Sequence, residues 1–132
     1  MLRVRRPGLI FLCLTLFCGC QARLNDERKI EVPTGEIKAV LYEVQQREKA
    51  VRVAIRSPGV PVDAYLVLEK DRPALVQRLE RQDQKPDNAL AQGLGVQDTT
   101  LEGRIPAGSA FAVVLVTRGK DTTVTVKTNE GR

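Results

Sequence analysis

Residues 49–57 of the chain read KAVRVAIRS, and a Pro-Gly pair follows them. In this stretch Val51, Val53 and Ile55 alternate with small or charged residues. An apolar period of two is typical of a β-strand that buries one face, and β-branched residues favour strands. The Pro-Gly pair marks a turn. The stretch therefore predicts a half-buried strand that ends in a tight turn.

Similar patterns lie on both sides of this strand. Further strands are predicted over residues 36–44, 62–70, 96–105, 110–116 and 122–128. The first of these places Val40, Tyr42 and Val44 on one face, whereas 62–70 and 110–116 are apolar on both faces and predict buried strands. Six to seven strands joined mostly by turns predict an all-β fold, an antiparallel β-sandwich of jelly-roll-like form. A closed barrel is the alternative.

One stretch departs from the strand period. Leu75, Val76 and Leu79 lie at helical spacing behind an Asp and a Pro, which are both favourable where a helix begins. This pattern predicts one short inserted helix near residues 73–82. Residues 83–95 follow it and contain several Asp, Asn, Pro and Gly residues, which predict a loop.

The start of the chain predicts a secretory signal peptide. Arg3, Arg5 and Arg6 precede an apolar run over residues 9–17, which is far shorter than the roughly 20 residues that cross a bilayer. The chain has 132 residues and a net charge of +5, from 21 Lys and Arg against 16 Asp and Glu. Removal of residues 1–19 leaves 18 against 16, a net charge of +2. The remaining domain therefore carries little net charge.

The leader ends in Phe17-Cys18-Gly19-Cys20, ahead of a polar stretch. This segment resembles the lipobox of bacterial lipoproteins, in which a small residue precedes an acylated Cys. The resemblance implies cleavage before Cys20 and lipidation of its thiol. An ordinary cleaved signal peptide and an uncleaved anchor are the alternatives. We therefore expect a chain in the cell envelope, anchored to a membrane by lipid, on its periplasmic or extracellular face.

This processing divides the chain into four parts. Residues 1–19 are the predicted signal peptide and residues 20–29 a polar, lipid-anchored tether. The predicted sandwich domain covers residues 30–128, and residues 129–132 form a polar tail.

The order of motifs in the sandwich domain resembles small secreted modules. A strand over 49–57, the Pro58-Gly59 turn, Asp63 and an apolar strand follow one another as they do in bacterial pre-peptidase C-terminal domains and GOLD domains. The segment Ile105-Pro106-Ala107-Gly108, before a Phe- and Val-rich strand, looks like their final turn and strand. The resemblance spans residues 36–127 and implies a non-catalytic accessory or interaction module.

Much catalytic chemistry lacks its side chains in this chain. There is no His, and Cys20 is the only Cys after residue 19, which excludes a His-dependent nucleophile, a Cys/His zinc cluster and a disulfide framework. Asp63 and Glu69 share a strand face but lie about 20 Å apart, too far for a carboxylate pair. We predict no enzymatic activity, cofactor or metal. The weaker alternative of a calcium site would use Asp83, Asp87, Asn88 and Asp98.

Five arginines form the candidate interaction surface. They lie on one predicted strand and on or near the predicted helix: Arg52, Arg56, Arg72, Arg78 and Arg81. Such a patch could contact anionic lipid or an acidic polymer, and a simply solvated face is the alternative. Nucleic acid is not an expected partner, because the processed chain is nearly neutral and has few aromatic residues. The sequence thus predicts a non-enzymatic interaction or structural module of the envelope with a protein partner. The alternative is a lipoprotein that binds a glycan, a metal or a small molecule.

Overall fold

The computed structural model describes residues 25–81 and 88–130 of the chain. The strands are β1 (Asn25–Val32), β2 (Ile37–Gln45), β3 (Lys49–Arg56), β4 (Val62–Leu68), β5 (Ala91–Val96), β6 (Asp98–Ile105), β7 (Ser109–Thr117) and β8 (Thr122–Glu130). One α-helix, α1 (Arg72–Glu80), follows a 3-10 turn (Glu69–Asp71) in the connection between β4 and β5.

The strands form two four-stranded antiparallel sheets that pack face to face. Sheet one has the order β1-β8-β3-β6, and sheet two has the order β2-β7-β4-β5. The core between them is apolar, and Val53, Ile55 and Phe111 are among its fully buried residues. The predicted antiparallel β-sandwich with one short helix is confirmed.

The helix α1 lies on the outer face of sheet two. Its fully buried Leu75 packs in a second, smaller core with Tyr65 and Val67 of β4 and with Ala112 and Val114 of β7. These two strands therefore bury both of their faces, one against sheet one and the other against α1. This packing explains why both strands are apolar at consecutive positions.

Packing, rather than capping, holds α1 in place. The helix begins at Arg72, one residue before the predicted range, and its N-cap residue Asp71 makes no side-chain capping hydrogen bond. Pro73 lies in the first turn, where its missing N–H costs nothing. The predicted C-terminal end near residue 82 lies outside the described residues. Residues 25–81 and 88–130 contain no helix that is long and apolar enough to cross a membrane.

Three segments predicted to lie outside strands belong to the sheets. Residues 25–29, predicted as part of the tether, pair with β8 as the start of β1. Residues 129–130, predicted as part of the polar tail, continue β8, and residues 91–96 of the predicted loop form β5. The predicted extents of the tether, the tail and the loop are therefore too long. Backbone pairing with a neighbour forms strands here from side chains that have little apolar period.

The strand β2 departs from the expected alternation near its end. Val40 and Tyr42 are buried as predicted, but Val44 is 58% exposed and Gln45 is buried instead. The register between β2 and β7 shifts between Tyr42 and Gln45. This β-bulge adds one residue to β2 and thereby turns Val44 outward.

The pairing registers give the sandwich two distinct ends. The amino end is where β1 begins, and it includes the turns over residues 46–48 and 106–108. The far end is where β1 stops, and it includes the turns over residues 33–36, 57–61 and 118–121.

Candidate functional site

The five arginines singled out in the sequence do not form one patch. Arg52 and Arg56 lie on the solvent-exposed outer face of sheet one, whereas Arg72, Arg78 and Arg81 lie on or beside α1. Because α1 packs against the outer face of sheet two, the two groups lie on opposite sides of the sandwich. The topology therefore excludes a single basic surface made of all five side chains.

On sheet one, the arginines lie opposite acidic neighbours. The Nε of Arg52 is 3.2 Å from Oε2 of Glu102, and the register of β3 with β6 places Arg56 opposite Asp98. Opposite charges at facing positions stabilise strand pairing and leave little net charge on this side. Only the register shows this arrangement, because the paired residues are more than 40 positions apart in the sequence.

On α1, Arg72 is held by a carboxylate of the preceding 3-10 turn. Its Nε and Nη2 donate to the two carboxylate oxygens of Glu69 at 2.9 and 2.8 Å. The hydrogen bond from Arg72 lowers the pKa of Glu69, and the same bond raises the pKa of Arg72. This two-pronged pair fixes the start of the helix, so Arg72 has a structural role.

A cleft of about 460 Å³ opens at the far end of the sandwich. The end of β1, the turn between β3 and β4, and the start of β8 form its walls. Its lining residues are Glu31, Val32, Pro33, Pro58, Val60, Asp121, Thr122 and Thr123. A space of this size can accept a small molecule or a side chain of a protein partner. We call it the far-end cleft.

A buried hydroxyl group shapes one wall of the far-end cleft. The fully buried Ser57 donates its hydroxyl hydrogen to the carbonyl oxygen of Val60 at 2.6 Å. Its Oγ also lies 3.0 Å from Oγ1 of Thr122, so Thr122 is the donor in that second bond. The backbone N–H of Ser57 donates to the carbonyl oxygen of Gln97 at 2.8 Å. These bonds connect the turn to β8 and to the β5–β6 connection, a common use of a Ser hydroxyl beside a turn.

The opposite wall carries a carboxylate that accepts a backbone hydrogen bond. The backbone N–H of Thr34 donates to Oδ1 of Asp121 at 2.8 Å, and the hydroxyl of Thr34 donates to the carbonyl oxygen of Gly119 at 2.9 Å. The bond from the Thr34 backbone is the main cause that lowers the pKa of Asp121. Glu31 adds a second carboxylate to the cleft.

This combination of side chains fits one kind of ligand group. Two carboxylates attract a cation, and the apolar surface of Pro33, Pro58 and Val60 can contact a hydrocarbon stem. A lysine or arginine side chain, or another amine on an apolar stem, has both features. A carboxylate or phosphate ligand would instead meet repulsion from Glu31 and Asp121.

Asp63, which the resemblance to secreted modules singled out, has a structural role at the same end. Its Oδ1 accepts hydrogen bonds from the backbone N–H of Gly95 and from Nε of Arg118, both at 2.7 Å. Gly95 adopts a positive φ of 60° at this contact, which glycine tolerates best. The carboxylate thus links β4 to β5 and to the turn after β7.

Three candidate site residues from the sequence analysis lie outside the described residues: Cys20, Asp83 and Asp87. Lipidation and the calcium alternative therefore remain predictions. Within the part of the chain that the structure describes, no three His, Cys, Asp or Glu side chains form a group that could hold a metal ion.

The far-end cleft has no signature in the sequence. Its walls come from three separate segments, and the contact between Thr34 and Asp121 spans 87 residues. The sequence predicts a turn at Pro58-Gly59 and does not show which other segments it meets. Sequence patterns report local periodicity, and nothing in that signal shows which turns meet at one end of a sandwich.

Comparison with solved structures supports the fold. The chain is similar to the pre-peptidase C-terminal domain of a collagenase from Bacillus anthracis, with a TM-score of 0.56 and 15% identity over 80% of this chain and 90% of that chain. It is also similar to the Yersinia pseudotuberculosis-derived mitogen, with a TM-score of 0.55 and 6% identity over 82% of this chain and 86% of that one. Identities this low show the fold alone. The predicted resemblance to pre-peptidase C-terminal domains is supported, whereas the one to GOLD domains stays a prediction. No protein-family model and no curated protein matches the chain.

Proposed function

We propose that the chain is a lipid-anchored lipoprotein of the cell envelope whose β-sandwich is a non-enzymatic interaction module. The spacing between the lipobox-like segment and β1 carries this proposal. Cys20 lies five residues before Asn25, where the first strand begins. Acyl chains on Cys20 would therefore hold a folded domain at the membrane surface with almost no linker between them.

The interaction role draws support from the fold and from the far-end cleft. The similar collagenase domain is, by its name, one domain of an enzyme rather than the whole enzyme. The far-end cleft offers a concave surface next to the filled core of the sandwich. A protein partner in the envelope that inserts a basic side chain would fit this surface.

Metabolic labelling tests the anchor. Cells that express the chain are grown with radiolabelled palmitate, and the purified protein is examined for the label. We expect Cys20→Ala to abolish incorporation and Cys18→Ala, the matched control two residues away, to retain it. Label that persists in Cys20→Ala would reject this residue as the lipidation site.

Photo-crosslinking in intact envelopes tests the interaction role. A photoreactive amino acid replaces Thr123 in the far-end cleft, and as a matched control it replaces the exposed Thr100 on the outer face of sheet one. We expect discrete protein adducts from position 123 and none from position 100. Adducts from neither position would contradict the proposed module.

A ligand-binding lipoprotein is the second candidate, and the carboxylate-lined cleft favours it. The probe is a lysine-containing tripeptide with blocked ends, compared with the same peptide that carries uncharged norleucine. Amide NMR shifts of Thr122 and Thr123 should move with the lysine peptide only, and Asp121→Asn should reduce that response. Equal responses to both peptides would reject recognition of the charge.

A further inference from the structure

We infer that the amino end of the sandwich rests against the membrane surface and that the far-end cleft is directed away from it. This inference rests on the proposed lipid anchor at Cys20. It adds the membrane-facing surface of the domain, which the anchor alone does not specify.

The length of the connecting chain limits where the sandwich can lie. A fully extended chain spans at most about 3.6 Å per residue, so five residue steps place Asn25 within about 18 Å of the acylated Cys. The strand β1 then leads away over eight residues, or roughly 23 Å at about 3.3 Å per step. Since β1 is longer than this reach, its start can approach the lipid more closely than the far end, where β1 stops.

The first residues of β1 are firmly joined to the sandwich body. Asn25 pairs with Asn129, and the register continues without a break along β8. Nearby, Arg28 lies over the ring of Tyr42, with 4.9 Å from its guanidinium carbon to the ring centroid. Because β1 is paired within the sheet, a tether that holds Asn25 near the lipid also holds the whole amino end there.

The surface of the amino end suits a membrane interface. The bulge in β2 exposes Val44, and the neighbouring turn exposes Pro106 and Ala107. The backbone N–H of Gly108 donates to the carbonyl oxygen of Gln45 at 2.7 Å, which holds that turn beside the bulge. A small apolar protrusion of this kind can enter the headgroup region without spanning the bilayer.

The charges at this end give no preference for anionic lipid. Around the start of β1, the turn at 46–48 and the adjoining strand ends, five bases accompany five acids. They are Arg28, Arg47, Lys49, Arg104 and Lys127, with Asp26, Glu27, Glu43, Glu48 and Glu130. We conclude that the short tether, rather than attraction to anionic headgroups, sets the orientation.

Quenching by spin-labelled lipids tests the orientation. The processed chain has Cys20 as its only Cys, and acylation occupies that thiol, so one introduced Cys is the sole labelling site. A fluorophore is attached at Ala107→Cys on the amino end or at Lys120→Cys on the far end, both exposed turn positions. The lipidated proteins are reconstituted in vesicles that contain a headgroup-labelled quencher lipid.

We expect several-fold stronger quenching at position 107 than at position 120. The ratio should be the same in phosphatidylcholine vesicles and in vesicles with one quarter phosphatidylglycerol. A flexible insert of 20 Gly and Ser residues after Arg23 spans on average about 25 Å and should bring the two positions to similar quenching.

Each alternative outcome overturns a defined part of the inference. Equal quenching at both positions in protein whose mass shows the lipid would reject the orientation while leaving the anchor intact. A preference that the insert does not change, or one seen only with phosphatidylglycerol, would reject the tether as its cause. Absence of lipid from the N-terminal peptide would instead reject the proposed anchor itself.

Discussion

The outer faces of the two sheets differ in what covers them. The outer face of sheet one is open to solvent and carries opposed charges such as Arg52 and Glu102. On the outer face of sheet two, α1 covers the central strands β4 and β7, so that Tyr65 and Val67 are buried there. A strand that is apolar on one side indicates a solvent face, and a strand that is apolar on both sides indicates a further layer. Stability should therefore depend far more on the face beneath α1.

Leu75→Ala tests how much the layer formed by α1 contributes to stability, which is the largest effect expected here. Leu75 is fully buried between α1 and sheet two, so its truncation should lower the free energy of unfolding by about 2–5 kcal/mol. Urea denaturation measures the change. The control Leu94→Ala removes a side chain that is 49% exposed and should cost less than about 0.5 kcal/mol. Equal losses in the two variants would refute the importance of the helix layer.

Tyr42→Phe tests the contact that joins the two sheets. Thr128 of sheet one donates its hydroxyl hydrogen to Oη of Tyr42 of sheet two at 2.9 Å, and both residues are buried. Loss of the phenol oxygen leaves the Thr128 hydroxyl unsatisfied, which should cost about 1–3 kcal/mol. The double variant Tyr42→Phe/Thr128→Val should recover part of that loss in the same urea measurement. No recovery would argue against the hydrogen bond as the cause.

Stability at alkaline pH tests the burial of the two tyrosines, which the open face of sheet one does not share. Burial raises the pKa of Tyr42 and of Tyr65, so the unfolded chain loses these protons at lower pH than the folded chain does. This contribution to stability is fully present below the ordinary tyrosine pKa of 10.0 and is lost as pH rises through the raised values. Between pH 9 and pH 11, the free energy of unfolding should fall less steeply with pH in Tyr65→Phe than in the unchanged protein. An identical slope would refute burial of that phenol.

A double-mutant cycle on Arg52 and Glu102 tests the smallest effect. Both side chains are more than half exposed, so their coupling should be about 0.2–1 kcal/mol and should weaken in 1 M salt. A coupling as large as the Leu75→Ala effect would contradict the contrast between the two faces.

Local patterns predicted the sandwich and its most buried strands because alternation reports which side chains face the core. The same logic found α1 from the spacing of Leu75 and Leu79. It missed β5, since residues 91–96 form a strand through pairing with β4 rather than through their own apolar pattern. It missed the outward turn of Val44, because a bulge depends on the partner strand β7. The far-end cleft and the separation of the arginines depend on the order of the strands in the two sheets. Local periodicity in a single sequence does not show that order.

The pairing of β1 with β8 has a consequence for how the chain folds. The first strand has the last strand as its neighbour in sheet one, and β8 also lies between β1 and β3. Sheet one therefore cannot close until synthesis has passed residue 130, and until then β1 and β3 both present unpaired backbone edges. Such a topology favours slow, late and cooperative folding. A chain that stops before residue 122 would lack β8, the strand that pairs with both β1 and β3, and would be prone to aggregate.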